Sequence, residues 1–297
     1  LWINEREFKL LAMRRSGSHA ILHWIAAQCP GTVHVHLNSC YPAGNPFATC
    51  GGDSTWTGCE AATNLAGILS RKDCLTYNYE NQWVQDVWSE EMEALRDEHV
   101  GASRERYNIL LVRSAGNWLA SYMRWFYGCQ TVPSRKLIHS LVPRWINHAE
   151  EALSAAPWCP NKVVIYFDQW AASVEYRRSI ANLLGLEFSD AGRQDVSRYG
   201  PNAVGDSMDN LTFDGRASEM KVNDRWQRYQ SDPIYHSFFT PRMSELDSRL
   251  KGEVNSVRSR RRCSCSRNLQ RRLVLHGQGH VARLHPGFLG GRLGDRS

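Results

Sequence analysis

Apolar runs of strand length alternate with segments of helical period along most of this chain. Phe8–Met13 reads as a buried strand, and Ala20–Gln28 follows as a helix with Ile21, Trp24, Ile25 and Gln28 at i, i+3, i+4 and i+7. Thr32–Leu37 is a second strand. The Gly-, Cys-, Ser- and Thr-rich stretch Asn38–Gly67 reads as a loop or irregular insertion. Leu75–Tyr79 is a third, short strand, and Val84–Arg96 a helix. Tyr107–Val112 is the fourth strand, followed by a helix through Trp118, Leu119, Tyr122, Trp125 and Phe126. Lys162–Phe167 is the fifth. After it Ser173 can cap a helix whose apolar face is Tyr176, Ile180, Leu183 and Leu184, with Gly185 as its stop. Met220–Gln230 and Ser237–Leu250 read as closing helices. This alternation, without internal repeats, predicts an α/β domain of three layers: a mostly parallel sheet with helices on both faces.

The length of 297 residues suits one large domain, and 42% hydrophobic with 22% charged residues is ordinary for a soluble globular protein. No run approaches the ~18 consecutive apolar residues of a membrane span, and no signal-peptide pattern precedes the first apolar stretch. The chain opens on Leu1 and enters a strand pattern at once, so further sequence upstream is expected, with room for an anchor.

The net charge of +6 changes meaning once it is divided. Residues 252–297 hold ten Arg against Glu253 and Asp295, a net +8, which leaves the body, 1–251, at −2. Nucleic-acid affinity runs through clustered phosphate contacts, and a mildly acidic body excludes that class for the fold itself. The tail has no helical or strand period. It reads either as a disordered basic segment touching anionic partners or as a frame-shifted end, and the domain is taken as 1–251. Nine cysteines form no paired CxxC pattern. The loose set His34, His36, Cys40, Cys50 and Cys59 fits a strand better than zinc. Two of Cys40, Cys50 and Cys59 could pair in a secreted protein, but scattered, odd-numbered cysteines fit a reducing cytoplasm better.

In a parallel sheet, ligands bind beyond the carboxyl ends of the strands. After the first strand comes Met13-Arg14-Arg15-Ser16-Gly17-Ser18-His19, a short loop running into a helix N-terminus. Glycine, small hydroxyls and exposed N–H groups make such a loop a cradle for phosphate or sulfate, and Arg15 adds a positive fork. The GxxxxGK[ST] spacing of a Walker A loop is absent. Arg113 ends the fourth strand, and Ser121 lies eight residues on, two helical turns along; the two can converge on one oxyanion. An exposed Arg and a solvent-facing Ser are the plain alternative. Phe167-Asp168-Gln169-Trp170 can line a base pocket or simply pack in the core.

Together these pieces resemble the sulfotransferases that use 3′-phosphoadenosine-5′-phosphosulfate (PAPS). Arg14–His19 is similar to their 5′-phosphosulfate loop with Arg in place of Lys, and Val112–Ser121 to their 3′-phosphate motif at the same Arg-to-Ser spacing. Phe167–Trp170 with Arg177, Ile180 and Leu184-Gly185-Leu186 resembles the strand and helix that follow. Phe213-Asp214-Gly215 with Met220, Arg225 and Trp226 resembles the C-terminal loop that closes over the cofactor.

The resemblance implies a P-loop-NTPase-like fold and in-line sulfuryl transfer from PAPS to a hydroxyl or amine, with no metal. It implies that Arg15, Ser16, Gly17, Ser18 and His19 hold the 5′-phosphosulfate and that Arg113 and Ser121 bind the 3′-phosphate. Gly215 and Arg216 are candidates for the closing loop, although the fuller Arg-Lys-Gly form is absent. Arg15 would also stabilise the charge developing on the leaving group. The base in this family is His or Glu after the third strand. Here Leu75–Asn81 holds no His, which makes Glu80 the candidate, with His19 and His23 as alternatives. The expected partner is a hydroxyl-bearing acceptor, carbohydrate among the candidates; Trp83, Trp88, Trp118 and Trp125 suit sugar stacking but fit a core better. The expected compartment is the cytoplasm. Three other readings stay open: an adenine-nucleotide-binding module without catalysis, a P-loop-type kinase, for which neither the Walker Lys nor a Mg²⁺ carboxylate is apparent, and an interaction protein acting through the tail.

Overall fold

The computed structural model describes residues 2–40, 47, 59–60, 69–128, 135–196 and 210–261. Most of the Asn38–Gly67 insertion and the tail beyond Arg261 lie outside them. Six parallel strands form the sheet: β1 (Asn4–Ala12), β2 (His34–Cys40), β3 (Cys59–Glu60), β4 (Lys72–Glu80), β5 (Ser103–Val112) and β6 (Lys162–Tyr166), in the order β3-β2-β4-β1-β5-β6. The helices are α1 (Ser18–Ala26), α2 (Val84–Val87), α3 (Glu90–Val100), α4 (Ala115–Gly128), α5 (Arg135–Leu153), α6 (Phe167–Ala172), α7 (Val174–Leu183), α8 (Pro233–His236) and α9 (Pro241–Arg261). The chain divides into two compact units, Leu1–Asn255 and Ser256–Ser297. Among the described residues no helix is long and apolar enough to cross a membrane.

β1 is the central strand and is buried on both faces, which is why it reads as a nearly continuous apolar run. Its residues alternate between two cores. Phe8, Leu10 and Ala12 join Ile21, Trp24 and Ile25 of α1 with Ile180 and Ala181 of α7. Leu11 and Met13 face the opposite layer, where α3, α4, α5 and α9 supply Met92, Trp118, Trp145 and Leu246.

Toward the amino end of that second face the layer is ionic. Buried Glu7 accepts from Arg96 Nε (3.0 Å) and the Tyr77 hydroxyl (2.6 Å). Buried Lys9 donates to the Val87 carbonyl and to Glu93 (both 2.7 Å). Burial pushes the Lys9 ammonium below its ordinary pKa, and Glu93 offsets part of that.

Several expectations are corrected. The Val84–Arg96 helix is two helices, because Ser89 stops the first and caps the second, accepting from Met92 N (3.2 Å). Phe167 opens α6 instead of ending a strand. Ser173 does cap α7, accepting from Tyr176 N, but Leu183 faces solvent and Arg177 takes its place on the buried face. Met220–Gln230 is no α-helix. It carries a 3₁₀ turn, Arg225–Tyr229, because its backbone is fastened to the sheet: the Val222 carbonyl accepts from Arg113 and Asn117 Nδ2 donates to the Asn223 carbonyl (2.9 Å). The last helix starts at Pro241, after the separate short α8. The 19-residue α5 has no counterpart in the sequence reading. Trp118 is fully buried, while Trp83 and Trp88 are half-buried; the Trp125 side chain lies outside the described residues. Cys29 and Cys159 are buried free thiols, and Cys40 and Cys74 are buried.

Candidate active site

The chain leaves β1 for α1 and β2 on one side of the sheet and continues on the other side as β5 and β6. The crevice beyond the carboxyl ends of β1 and β5 is therefore the switch point at which open α/β sheets bind ligands. The loops Met13–His19 and Arg113–Ser121 both open there.

The first loop is a tight reversal. Ser16 N donates to the Met13 carbonyl (3.1 Å), Arg15 and Gly17 both take left-handed backbone (φ +73° and +97°), and Ile21 N closes the first turn of α1 onto the Gly17 carbonyl (3.1 Å). A side chain at Gly17 would overlap the Phe167 ring, so glycine is required by backbone and by space. The Ser16 hydroxyl is buried and has no hydrogen-bond partner among the described residues. Ser18 is not a cap: its hydroxyl donates to Glu80 Oε1 (3.2 Å), and Arg14 Nε holds Glu80 Oε2 (3.0 Å). Glu80 ends β4 opposite Ala12 of β1, so register places it beside the loop.

His19 lines the cavity with Nε2 3.2 Å from Asn38 Oδ1, its ring edge-on to His36. Burial and then the neighbouring His19 push His36 on β2 down to about 3, against the raising effect of hydrogen bonds with Asn38 and Thr76; its Nδ1 lies 2.9 Å from Thr76 Oγ1. His23 lies outside the cavity wall, bonded to Asp195 (3.1 Å).

Arg113 and Ser121 are both buried, at 2% and 0% exposure, which excludes the solvent-facing alternative. Arg113 Nη1 donates to the Arg15 carbonyl and to Ser121 Oγ (both 3.0 Å), and Nη2 to the Val222 carbonyl (2.5 Å). Its guanidinium lies 4.8 Å from the Phe167 ring centre, and its Nε has no hydrogen-bond partner among the described residues. The acceptors in contact with it are all neutral. Burial first, then the positive charges of Arg225 and Arg15, push Arg113 down to about 9, against the opposing effect of Asp168. Arg225 Nη1 also donates to Ser121 Oγ (3.1 Å), so two guanidinium groups converge on one hydroxyl.

Phe167 and Trp170 form an aromatic wall, rings 5.6 Å apart and nearly parallel. Arg193 lies over Trp170 (4.9 Å) and donates to the Ala171 carbonyl (3.0 Å); burial and Arg177 hold it down to about 10. These groups enclose about 820 Å³ of space, open to solvent on one side.

A second, larger cavity, about 1710 Å³ and likewise open to solvent, lies behind Arg113, among Trp226, Tyr235, Phe239 and Asp247. Its carboxylates are already engaged. Asp168 accepts from Ser114 N (2.8 Å), Ser114 Oγ and Asn117, and Asp247 accepts from Ala115 N (2.8 Å) and pairs with Lys251 (2.5 Å). Arg15, Arg113, Arg193 and Arg225 line the first cavity, together with the carboxylates Glu80 and Asp195.

Arg15, Gly17, Ser18, His19, Glu80 and Arg113 line that cavity, with Ser16 and Ser121 buried directly behind it. Gly215 and Arg216 are not brought to it. Arg216 is exposed and returns to the Thr212 carbonyl (3.1 Å) and Glu219, and the space beside Gly215 is open. The closing segment contributes Arg225 instead. Sequence reasoning named Arg225 only within the closing-loop resemblance, not as a binding residue, and did not name Arg193: each sits in an irregular segment where periodicity carries no signal.

No family model and no curated protein matches this chain. Among solved structures it is similar to the crystal structure of mouse sulfotransferase SULT7A1 complexed with PAP, with 11% identity, a TM-score of 0.39 and 81% of each chain covered. A likeness so distant assigns no residue of this chain a role.

Proposed function

We propose that the cavity binds an adenosine 3′,5′-bisphosphate and that the chain is a sulfotransferase, moving the sulfuryl group of PAPS to a hydroxyl- or amine-bearing acceptor by in-line transfer. The observation that carries this reading is Arg113. Its fully buried guanidinium, a cation crowded by Arg225 and Arg15 and pushed down to about 9, has only neutral acceptors in hydrogen-bond contact. A phosphate dianion there would pair with that buried charge and receive charge-assisted hydrogen bonds. A second anion cradle with an orphaned Ser16 hydroxyl sits one strand away. Two such sites flanked by an aromatic wall suit a nucleotide with separated 3′ and 5′ charges.

PAPS would supply an activated sulfuryl group on a bisphosphate leaving group. The chain's own residues would do the rest. Arg15 and the backbone N–H groups of the Gly17 loop would hold the 5′ end and meet the charge that grows on the departing oxygen. Arg113, Ser121 and Arg225 would hold the 3′-phosphate, which separates this ligand from AMP and ATP. Glu80 would take the acceptor proton as the new O–S bond forms and the S–O bond to the nucleotide breaks. Arg14 and Ser18 aim that carboxylate.

Calorimetric titration with adenosine 3′,5′-bisphosphate, 5′-AMP and ATP tests the reading. Preference for the bisphosphate, lost in Arg113→Ala, is expected. Equal affinity for all three, or no binding by folded protein, refutes it.

A further inference from the structure

Three loops leave the sheet at the site, and each has one backbone carbonyl held by a ring N–H from the helical layer behind it. Beyond β1, Trp118 Nε1 of α4 donates to the Arg14 carbonyl (3.0 Å). Beyond β5, Trp145 Nε1 of α5 donates to the Arg113 carbonyl (3.1 Å). Beyond β4, His148 Nε2 of α5 lies 2.8 Å from the Gln82 carbonyl, two residues past Glu80. A carbonyl accepts only, so His148 carries its proton on Nε2.

Trp118, Trp145 and His148 are at most 1% exposed. Burial pushes His148 down to about 4, so at neutral pH the ring is a neutral, single donor; its Nδ1 has no hydrogen-bond partner among the described residues. The β4 turn is held further by α5, since Val84 N donates to Asn147 Oδ1 (2.9 Å), and internally, since Gln82 Nε2 donates to the Glu80 carbonyl (3.0 Å). A satisfied carbonyl needs one donor, and any polar side chain would serve. Here one rigid helix, α5, reaches both the Arg113 end of β5 and the Glu80 end of β4, with positions 145 and 148 one turn apart on one face.

We propose that α5 sets the distance between the 3′-anion site and the candidate base, with His148 the positioning residue for Glu80 and Trp145 the positioning residue for Arg113; this rests on the functional reading above. His148 touches neither ligand nor Glu80. It fixes the turn from which the Glu80 carboxylate is presented. Loss of its N–H should therefore lower turnover and leave ground-state nucleotide binding in place, since a displacement near 1 Å can cost up to about 100-fold in rate.

The test compares His148→Phe and His148→Gln with wild type, measuring bisphosphate affinity by calorimetry and turnover of PAPS to its bisphosphate, with water and p-nitrophenol as acceptor probes. His148→Phe is expected to reduce kcat about 10-fold or more, with KM for PAPS and bisphosphate Kd within about twofold. His148→Gln, which keeps a donor, restores most of kcat. Should His148→Phe not fold, Asn147→Ala removes the adjacent hold on Val84 and is expected to show the same split. Trp145→Phe is expected to raise the bisphosphate Kd several-fold. A folded His148→Phe or Asn147→Ala with wild-type kcat overturns the positioning role while leaving the functional reading intact. A wild-type chain that binds no bisphosphate or turns over no PAPS overturns the functional reading itself.

Discussion

Gly17→Ala tests the architecture of the site at one atom. Two costs arise there and can be separated. The backbone at φ +97° disfavours any side chain, worth about 1 kcal/mol for alanine. The added Cβ also meets the Phe167 ring, itself wedged between Trp170 and Arg113, and forcing a methyl into such packing costs about 1–3 kcal/mol. The two sum to roughly 2–4 kcal/mol. For a domain of this size about 2–4 °C of Tm follows each kcal/mol, giving a fall of roughly 4–16 °C. Gly215→Ala is the control. It carries a similar φ of +79° with open space beside it, so only the backbone cost of about 1 kcal/mol remains. Thermal melts of both variants, with bisphosphate titration of each, give the comparison. Gly17→Ala should melt well below Gly215→Ala and lose at least about tenfold in affinity, because Phe167 supports Arg113. Equal melting temperatures would refute the claim that the loop must approach Phe167 so closely.

Adenosine 3′,5′-bisphosphate at 100 times its Kd should stabilise the wild type by about 2.7 kcal/mol, or roughly 5–11 °C in a thermal melt, and should not shift Arg113→Ala. Glu80→Gln should keep bisphosphate binding within about threefold and lose at least about 100-fold in PAPS turnover; retained turnover would exclude Glu80 as the base. His36 and His148 have folded pKa values depressed to about 3 and about 4, below the ordinary 6.5. The unfolded chain therefore binds more protons between those limits, and stability falls as pH drops below about 6.5, by about 2 kcal/mol per histidine at pH 5. Urea melts at pH 7 and pH 5 should show this, with a shallower loss in His148→Gln. Arg96→Met leaves the Glu7 carboxylate buried without its main partner and should cost about 3–5 kcal/mol, read in the same melts at pH 7.

The parts of the fold legible in sequence are those where burial dictates residue type over a whole element. β1 and β5 are covered on both faces, so Phe8–Met13 and Tyr107–Val112 had to be apolar runs, and the α/β alternation followed from them. The tight turn between β1 and α1 was legible for a different reason. A left-handed turn packed on an aromatic ring accepts only glycine, and the small hydroxyls flanking Gly17 mark a helix start. Where several residues act through backbone groups, the code is lost. Val222 meets Arg113 through its carbonyl, and any residue has one, so the apolar spacing of Met220–Gln230 imitates a helix, and only the resemblance of Met220, Arg225 and Trp226 to a closing loop sets the segment apart. The same holds for α5: Trp145 and His148 reach carbonyls of Arg113 and Gln82, acceptors that no sequence pattern names. Arg216 and Arg225 show the limit most directly. Both are arginines of one irregular segment, and which of them points at Ser121 is decided by Asn223, whose side chain ties that stretch to the Asp168 carbonyl (2.9 Å) and carries Arg225 inward. A charge placed by a third residue's hydrogen bond has no local signature, so the chemistry of this site is written in the sequence as residue types, and their convergence in the tertiary fastenings alone.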